Sequence, residues 1–263
     1  MSRPRPAIAS AVACLAILVA ERVWPLRRLR QPVLVHEGRN LVMGALCAAV
    51  VAGLEAPITD RIARDNMTRR RGFGQRLPRP LGKVAAFLAM DYGFYLWHVA
   101  THRLAPLWRF HRVHHVDADL SLSTALRFHL VDMLVSLPWR MVQVRVSGID
   151  PDGLAAWRRF FTLSILFHHS NWRLPGEWDR RLAWVLTTPR MHGIHHSVGR
   201  IERDSNWSSG LSLWDRLHRT MRLDVPQSTP VTGIDDPAAV DDMTLWGALR
   251  APFRSMPSPE RYL

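Results

Sequence analysis

The spacing of histidines constrains this chain more than any other feature. Eight of its 13 histidines fall into three short clusters, one with i, i+4 spacing and two with i, i+3, i+4 spacing. Residues three and four apart lie on one side of a helix, so each cluster can direct at least two imidazoles toward one point. In chain order the clusters are His98 and His102; His111, His114 and His115; and His192, His195 and His196. The pattern predicts helices that meet at a histidine-rich site.

A further histidine pair, His168 and His169, lies between the second and third clusters. Adjacent residues on a helix point about 100° apart, so only one of the two is expected to face the site, and we choose His169. Imidazole nitrogen binds iron, zinc, copper or nickel, and the clusters contain no thiolate. Eight or nine histidines exceed the coordination of one ion, so the count predicts two metals. Three isolated histidines, His36, His129 and His218, are expected to be ordinary core or surface residues.

The identity of the metal depends on which residues the clusters lack. A hydrolytic zinc site commonly has three protein ligands, a water and a nearby glutamate, whereas no HExxH motif and no glutamate occurs in these clusters. Many neutral imidazoles leave a high positive charge at the site, which favours ferrous iron. A pair of redox-active irons is therefore the preferred interpretation. A zinc-dependent membrane hydrolase and a non-catalytic metal-binding or transport protein remain the alternatives.

Apolar segments near the start of the chain indicate a membrane protein. Ala7–Ala20 and Asn40–Leu54 are continuous apolar runs, joined by a segment with four arginines, and they predict a membrane hairpin. Leu18 and Ala20 would make a poor cleavage site, so a retained helix is favoured over a signal peptide. Later apolar stretches at 81–100, 130–146 and 160–167 are not uninterrupted apolar spans of full membrane length. No strand-like alternation of apolar and polar residues persists over several segments.

The charge pattern agrees with membrane association and disfavours nucleic acid as a partner. The formal net charge is +13, and residues 1–90 hold 15 basic against 5 acidic residues, interleaved with apolar runs. The polar, arginine-rich 55–83 segment is predicted to be a loop or interfacial segment on the cytoplasmic side. We expect 83–97 to insert only partly, which leaves the histidines facing the cytoplasm. Arginine outnumbers lysine 34 to one, which suggests a GC-rich, bacterial genome.

The ordered motifs over roughly residues 85–220 resemble the fatty acid hydroxylase / sterol desaturase superfamily of membrane di-iron oxygenases. The flanking residues are similar as well, including Asp91-Tyr92 before the first cluster, Ser170-Asn171 after the histidine pair and Asn206-Trp207 near the end. The sequence departs from the family pattern at Leu130 and Asp132, where proline and glutamate are common, and at Trp207-Ser208 and His218-Arg219.

The resemblance implies an all-α fold, an integral membrane helical bundle with a helical cap that carries a histidine-rich dimetal site. It suggests three parts: an N-terminal membrane hairpin and basic loop (1–80), a histidine-box hydroxylase/desaturase domain (81–220) and a C-terminal tail with little core (221–263). Two iron ions are expected as cofactors, with zinc able to replace them on overexpression. Their predicted ligands are His98, His102, His111, His114, His115, His169, His192, His195 and His196.

The resemblance also implies an activity, the oxidation of a lipid C–H bond by dioxygen and external electrons. A fatty acyl or sterol-like substrate would be hydroxylated; desaturation and ether-lipid oxygenation are alternatives within the superfamily. No haem or flavin motif is present, so the electrons would come from a separate carrier such as a ferredoxin. Residues expected to support the ligands, the carboxylates through the second imidazole nitrogen, are Asp91, Asn171, Asn206 and Asp215.

Overall fold

The computed structural model describes residues 4–226, 231–236 and 239–254. The regular secondary structure of these residues is helical, with no extended β-strand. The parts of the domain division that fall on 1–3, 227–230, 237–238 and 255–263 lie outside the described residues. The longer helices are α1 (Pro4–Val23), α2 (Val33–Val50), α3 (Ala56–Arg69), α4 (Arg79–Arg103), α5 (Ala105–His115), α6 (Leu130–Ser147) and α7 (Pro151–His169). The shorter ones are α8 (Gly176–Leu182), α9 (Pro189–His195), α10 (Arg200–Arg203), α11 (Leu213–Leu217), α12 (Ala239–Asp242) and α13 (Leu245–Arg250). The expected all-helical fold is confirmed for these residues.

Helix α2 is part of the one described helix that is long and apolar enough to cross a membrane. It passes through a π-helical turn (Val51–Glu55) into α3, and the apolar window of this segment is only 11% buried. Leu34 and Leu41 are among its exposed apolar side chains. Length and composition therefore support one membrane-crossing helix within the described residues.

Of the two alternatives for the polar 55–83 segment, a loop or an interfacial segment, the loop is wrong for the first half, because most of that half is helix α3. Thr59, Ala63 and Asn66 are buried there, at spacings of four and three residues. Asn66 donates to the carbonyl oxygens of Val144 and Ile149, so this narrow stripe fastens α3 to the end of α6. In the sequence, the many arginines on the other faces of the segment obscure the helical spacing of these three buried residues.

A buried ionic network ties α2 to the turn that follows α5. The Asp117 carboxylate accepts hydrogen bonds from His36 (2.8 Å), Thr124 (2.9 Å) and Asn40 (3.2 Å). Burial by itself would raise the pKa of Asp117, but the bond from His36 and the nearby positive charge of Arg127 hold that pKa at about 2. His36 therefore has a structural partner, as expected for an isolated histidine.

The C-terminal part of the chain differs from the predicted tail with little core. Ala248 and Ala251, just before and just after the end of α13, are fully buried against Met43 of α2 and Val113 of α5. Arg127, also buried, donates to the carbonyl oxygens of Val113 and Asp242. Small alanine side chains allow this close packing, which the falling apolar content of the sequence did not reveal.

Candidate metal centre

Four helix ends bring the clustered histidines together. The first cluster lies in the last two turns of α4, the second ends α5, the His168–His169 pair ends α7, and the third spans α9 and the residue after it. Each of these imidazoles is buried. Chain segments far apart in sequence thus converge on one buried, nitrogen-rich region.

The histidines form two groups of four, and within each group the ligand nitrogens lie within 4.8 Å of one another. The first group is His98, His102, His115 and His195. The second group is His114, His169, His192 and His196. Each His-His dipeptide of the second and third clusters therefore supplies one ring to each group. Adjacent side chains point in different directions, so this division follows from helix geometry.

The Nε2 atoms of the second group point toward one another. His169 Nε2 lies 3.0 Å from His114 Nε2 and 2.9 Å from His192 Nε2, and the Nε2 atoms of His192 and His196 are 3.1 Å apart. In the first group, His195 Nε2 and His98 Nε2 are also 3.1 Å apart. A neutral imidazole whose Nδ1 carries the proton has a lone pair on Nε2. Such converging lone pairs are what a shared cation requires.

Backbone carbonyls fix the orientation of three of these rings. Nδ1 of His98 donates to Trp207 O (2.7 Å), that of His169 to Ile165 O (2.7 Å) and that of His195 to Ser205 O (2.9 Å). A proton held on Nδ1 leaves Nε2 free to bind a metal. No side-chain motif encodes these carbonyls, which is why sequence reasoning missed the residues that provide them.

The donor set fits a pair of metal ions. Burial lowers the pKa of His195 to about 3, so its ring stays neutral at physiological pH. Within the described residues, Nε2 of His102 and both ring nitrogens of His115 are buried without a hydrogen-bond partner. Buried imidazole nitrogens are costly when they are left without a partner, and coordination of a cation would satisfy them.

His111 and His168 lie beside the two groups. The ring centroid of His111 is 4.9 Å from that of His102 and 5.0 Å from that of His115, and its Nδ1 is 3.8 Å from an oxygen of Asp132. The predicted ligand His111 is thus adjacent to the first group and near a carboxylate that could orient it. His168 is buried with its ring centroid 4.0 Å from that of His192, whereas its neighbour His169 belongs to the second group.

Among the described residues, Asp91 and Asp215 accept their hydrogen bonds from groups other than imidazoles, contrary to the predicted arrangement. Asp215 accepts hydrogen bonds from the backbone N–H groups of Trp207 (2.8 Å) and Ser208 (2.9 Å). Asp91 accepts from Trp214 Nε1 (2.7 Å) and from the N–H of Leu211. The carboxylates hold the segment from residue 207 to the first turn of α11, and the Trp207 carbonyl of that segment orients His98. Their influence on the rings is therefore indirect.

The side chains of Asn171 and Asn206 also form hydrogen bonds with backbone groups. The Asn171 amide accepts from the N–H of Arg27 and donates to its carbonyl, both at 2.8 Å, which joins the end of α7 to the segment after α1. Asn206 has a positive φ of 53° and donates to Met191 O and Arg222 O, both at 2.9 Å. The second asparagine thus binds α9 to the chain that follows α11.

The two remaining isolated histidines have ordinary partners. His129 caps the start of α6, where its Nδ1 accepts from the N–H of Val131 at 3.1 Å. His218 is exposed and stacks on Tyr92, whose hydroxyl is 2.9 Å from its Nε2. Neither residue belongs to a metal-binding group.

A cavity of ≈ 310 Å³ opens beside the histidines. His98, His114 and His169 face it, and much of the remaining wall is aromatic or aliphatic, with Phe94 and Trp97 from α4. Polar residues also line it, among them Arg140 of α6 and Arg158 of α7. A mainly apolar cavity with a few polar groups is typical of a small-molecule site. The hydrocarbon chain of a lipid is apolar and therefore suits such a wall.

Comparison with known proteins identifies the family. The fatty acid hydroxylase family model matches residues 83–220, slightly more than half of the chain, and the protein belongs to this family. No solved structure matches the chain at a significant level. The matched region begins within α4 and ends after α11, so it contains both histidine groups.

Curated relatives are lipid-oxidising enzymes. The chain is 31% identical over 145 residues to alkylglycerol monooxygenase of Xenopus tropicalis, which is 55% of this chain and 31% of that protein. It is 29% identical over 161 residues to ornithine lipid hydroxylase OlsE of Rhizobium tropici, 60% of this chain and 46% of that one. Human cholesterol 25-hydroxylase is 25% identical over 139 residues, 51% of this chain and 49% of that protein. The chain thus spans less than half of each relative, and these relatives, bacterial and vertebrate, give no support to the bacterial origin suggested above.

Substitution of Asp215 tests the indirect support of His98. Asp215→Asn would retain only one carboxamide oxygen for the two N–H groups of Trp207 and Ser208, so the Trp207 carbonyl should lose its fixed position. We expect metal affinity of the first group to fall about 10- to 100-fold, the usual effect of removing a partner outside the ligand set. Chelator titration of the metal-loaded protein measures this. Asp224→Asn, at an exposed carboxylate, is the matched control, and unchanged affinity in Asp215→Asn would contradict the role.

Proposed function

We propose that this protein is a membrane-bound di-iron oxygenase that hydroxylates a C–H bond of a lipid. The observation that carries the proposal is the pairing of two buried four-histidine groups with an adjacent, mainly apolar cavity. Family membership supports it, since the curated relatives include lipid hydroxylases and monooxygenases. Both groups consist of imidazoles alone, which can bind iron, and neither contains the glutamate that often serves as the base at a hydrolytic zinc site.

The protein's own groups would position the metals and exclude water. Two ferrous ions, when bound, would activate dioxygen for attack on an unactivated C–H bond, using two external electrons. The ligands would be the eight histidines of the two groups, with His111 as an additional candidate beside the first. The carbonyls of Ile165, Ser205 and Trp207 keep three rings in the metal-binding tautomer. The apolar walls hold the lipid chain and keep bulk solvent from the reacting carbon.

The substrate is proposed to be a lipid chain that enters from the bilayer. The exposed apolar surface of α2 would lie in the membrane, and Gly44, Cys47 and Val51 on its other face line the cavity. A chain could therefore pass from the bilayer along α2 toward the histidines. An ether lipid is a second candidate substrate, favoured by the similarity to alkylglycerol monooxygenases from several animals.

Electrons are proposed to come from a separate acidic carrier, such as a ferredoxin, on the cytoplasmic side. Arg69 at the end of α3 and Arg71 just after it are exposed and share the single carboxylate of Asp65, so they leave excess positive charge that could attract such a carrier. The same arginines would favour the cytoplasmic side of the membrane.

Lipid analysis under isotopically heavy dioxygen tests the proposal. The iron-loaded protein is incubated in lipid nanodiscs with a chemical or ferredoxin reductant, and extracted lipids are examined by mass spectrometry. We expect a hydroxylated product that carries one heavy oxygen and is absent without dioxygen or reductant. A product that has only lost two hydrogens would identify a desaturase instead. Lipid cleavage that needs neither dioxygen nor reductant would overturn the proposal in favour of a zinc hydrolase.

A further inference from the structure

Arg140 of α6 is a buried cation in the wall of the cavity. Only 9% of its surface is exposed, and its guanidinium lies over the ring of Phe94, 4.6 Å from the centroid, with the Trp157 ring at 5.9 Å. Its one side-chain hydrogen bond among the described residues goes from Nη1 to Gln143 Oε1, at 3.0 Å. A guanidinium has five N–H donors, so most of the donor capacity of Arg140 is unused by the protein.

No carboxylate of the described residues pairs with Arg140 within 4.0 Å. Glu55 and Asp132, which line the same cavity, interact with it only at longer range. Arg158, a second arginine of the wall, differs, because it contacts Asp60 and Thr59 at 2.6 Å each. An unpaired buried charge is strongly unfavourable, and such residues are normally paired or bind a ligand.

The position of Arg140 relative to the histidines limits which part of a lipid could reach it. The ring of Phe94, which it covers, is 6.3 Å from the ring of His98, measured between centroids. The guanidinium and a ring of the first histidine group therefore both neighbour the same aromatic side chain. A lipid group bound at Arg140 would place carbons close to the head group, rather than the distal methyl end, beside the metals.

We propose that Arg140 binds an anionic group, a carboxylate or a phosphate, of the lipid substrate. The inference rests on the proposed function and deepens it: the preferred substrate is an anionic lipid, oxidised near its polar end. The planar guanidinium suits either oxyanion, because it can donate two parallel hydrogen bonds. The rings of Phe94 and Trp157 hold that plane in position, and Gln143 fixes one edge.

Binding measurements test the subsite without any turnover. Zinc-loaded protein in detergent, without dioxygen or reductant, is titrated with three ligands of one chain length: a fatty acid, a monoalkyl phosphate and the fatty alcohol. We expect each anion to bind about tenfold or more tightly than the alcohol, as hydrogen bonds to charged groups are strong. Whichever anion binds more tightly identifies the head-group chemistry. Equal affinity for all three ligands would overturn the proposal.

Variants assign the effect to this side chain. Arg140→Gln should remove the preference for anions while leaving affinity for the alcohol within about twofold. Arg145→Gln is the matched control on α6, since Arg145 is partly exposed and paired with Asp65. Glu55→Gln removes a nearby negative charge and should raise the preference for anions, an outcome that impaired folding cannot imitate. Retained preference in Arg140→Gln, or a lower preference in Glu55→Gln, would contradict the subsite.

The outcomes separate this inference from the proposed function. If the protein oxidises lipids but shows no preference for anions, only the Arg140 subsite is wrong. If it prefers anions through Arg140 but oxidises no lipid, the subsite stands as a lipid-binding site and the proposed oxygenase activity fails.

Discussion

Replacing His195 and His196 together by alanine is expected to abolish binding of both metals. The two residues are adjacent in sequence, but His195 belongs to the first four-histidine group and His196 to the second. Each group would retain three imidazoles and gain a void where the ring was. Protein from iron-rich, anaerobic growth should contain about two irons per chain, and the double variant close to none. The single variants should each lose about one iron, because each ring serves one group only.

Elemental analysis of detergent-purified protein measures this result. His218→Ala provides the control, because His218 is exposed, stacks on Tyr92 and lies outside both groups. Loss of both metals in either single variant would contradict two separable sites. Stoichiometric zinc without iron, even after anaerobic iron-rich growth, would count against the irons. Zinc after ordinary overexpression would carry less weight, because imidazole sites bind zinc more tightly than ferrous iron.

Much of the candidate metal centre could be predicted because helical periodicity and ligand chemistry act locally. The spacing from His98 to His102 defines one helical face, and the structure places both residues in the first group. The angle between adjacent side chains led to the choice of His169 over His168, and the second group contains His169. The same argument, applied to the His-His pairs at 114–115 and 195–196, would also have predicted their division between the groups.

The parts that could not be predicted depend on long-range contacts and on backbone atoms. The carbonyl of Trp207 orients His98 from 109 residues away, and any residue type has a carbonyl. Asp215 was expected to touch an imidazole, but it holds the backbone that carries this carbonyl. Charged residues on most faces of α3 obscure its helical pattern in the sequence. Burial of Ala248 depends on a partner surface on α2 and α5.

Filling the cavity is expected to stop lipid oxidation while leaving the metals in place. Ala125 lines the cavity and is buried, whereas Ala52 is exposed on the π-helical turn. Ala125→Phe should push a ring into the ≈ 310 Å³ space and displace the lipid chain from the histidines. We expect at least about a 100-fold lower rate of product formation, because small displacements of the reacting atom are costly. Met133→Trp, from the wall formed by α6, should have a similar effect.

Two measurements and a control variant distinguish a blocked cavity from a damaged fold. Metal content should stay at the wild-type value in Ala125→Phe, since this residue lies outside both histidine groups. Thermal unfolding reports any cost of overpacking, which is typically 1–3 kcal/mol in a filled core and should be smaller where open space adjoins. Ala52→Phe makes the same chemical change outside the cavity and should oxidise lipid at the wild-type rate. Full activity in both cavity variants would mean that the substrate reaches the metals by another route, whereas loss of activity confined to them would identify this cavity as the path of the lipid chain.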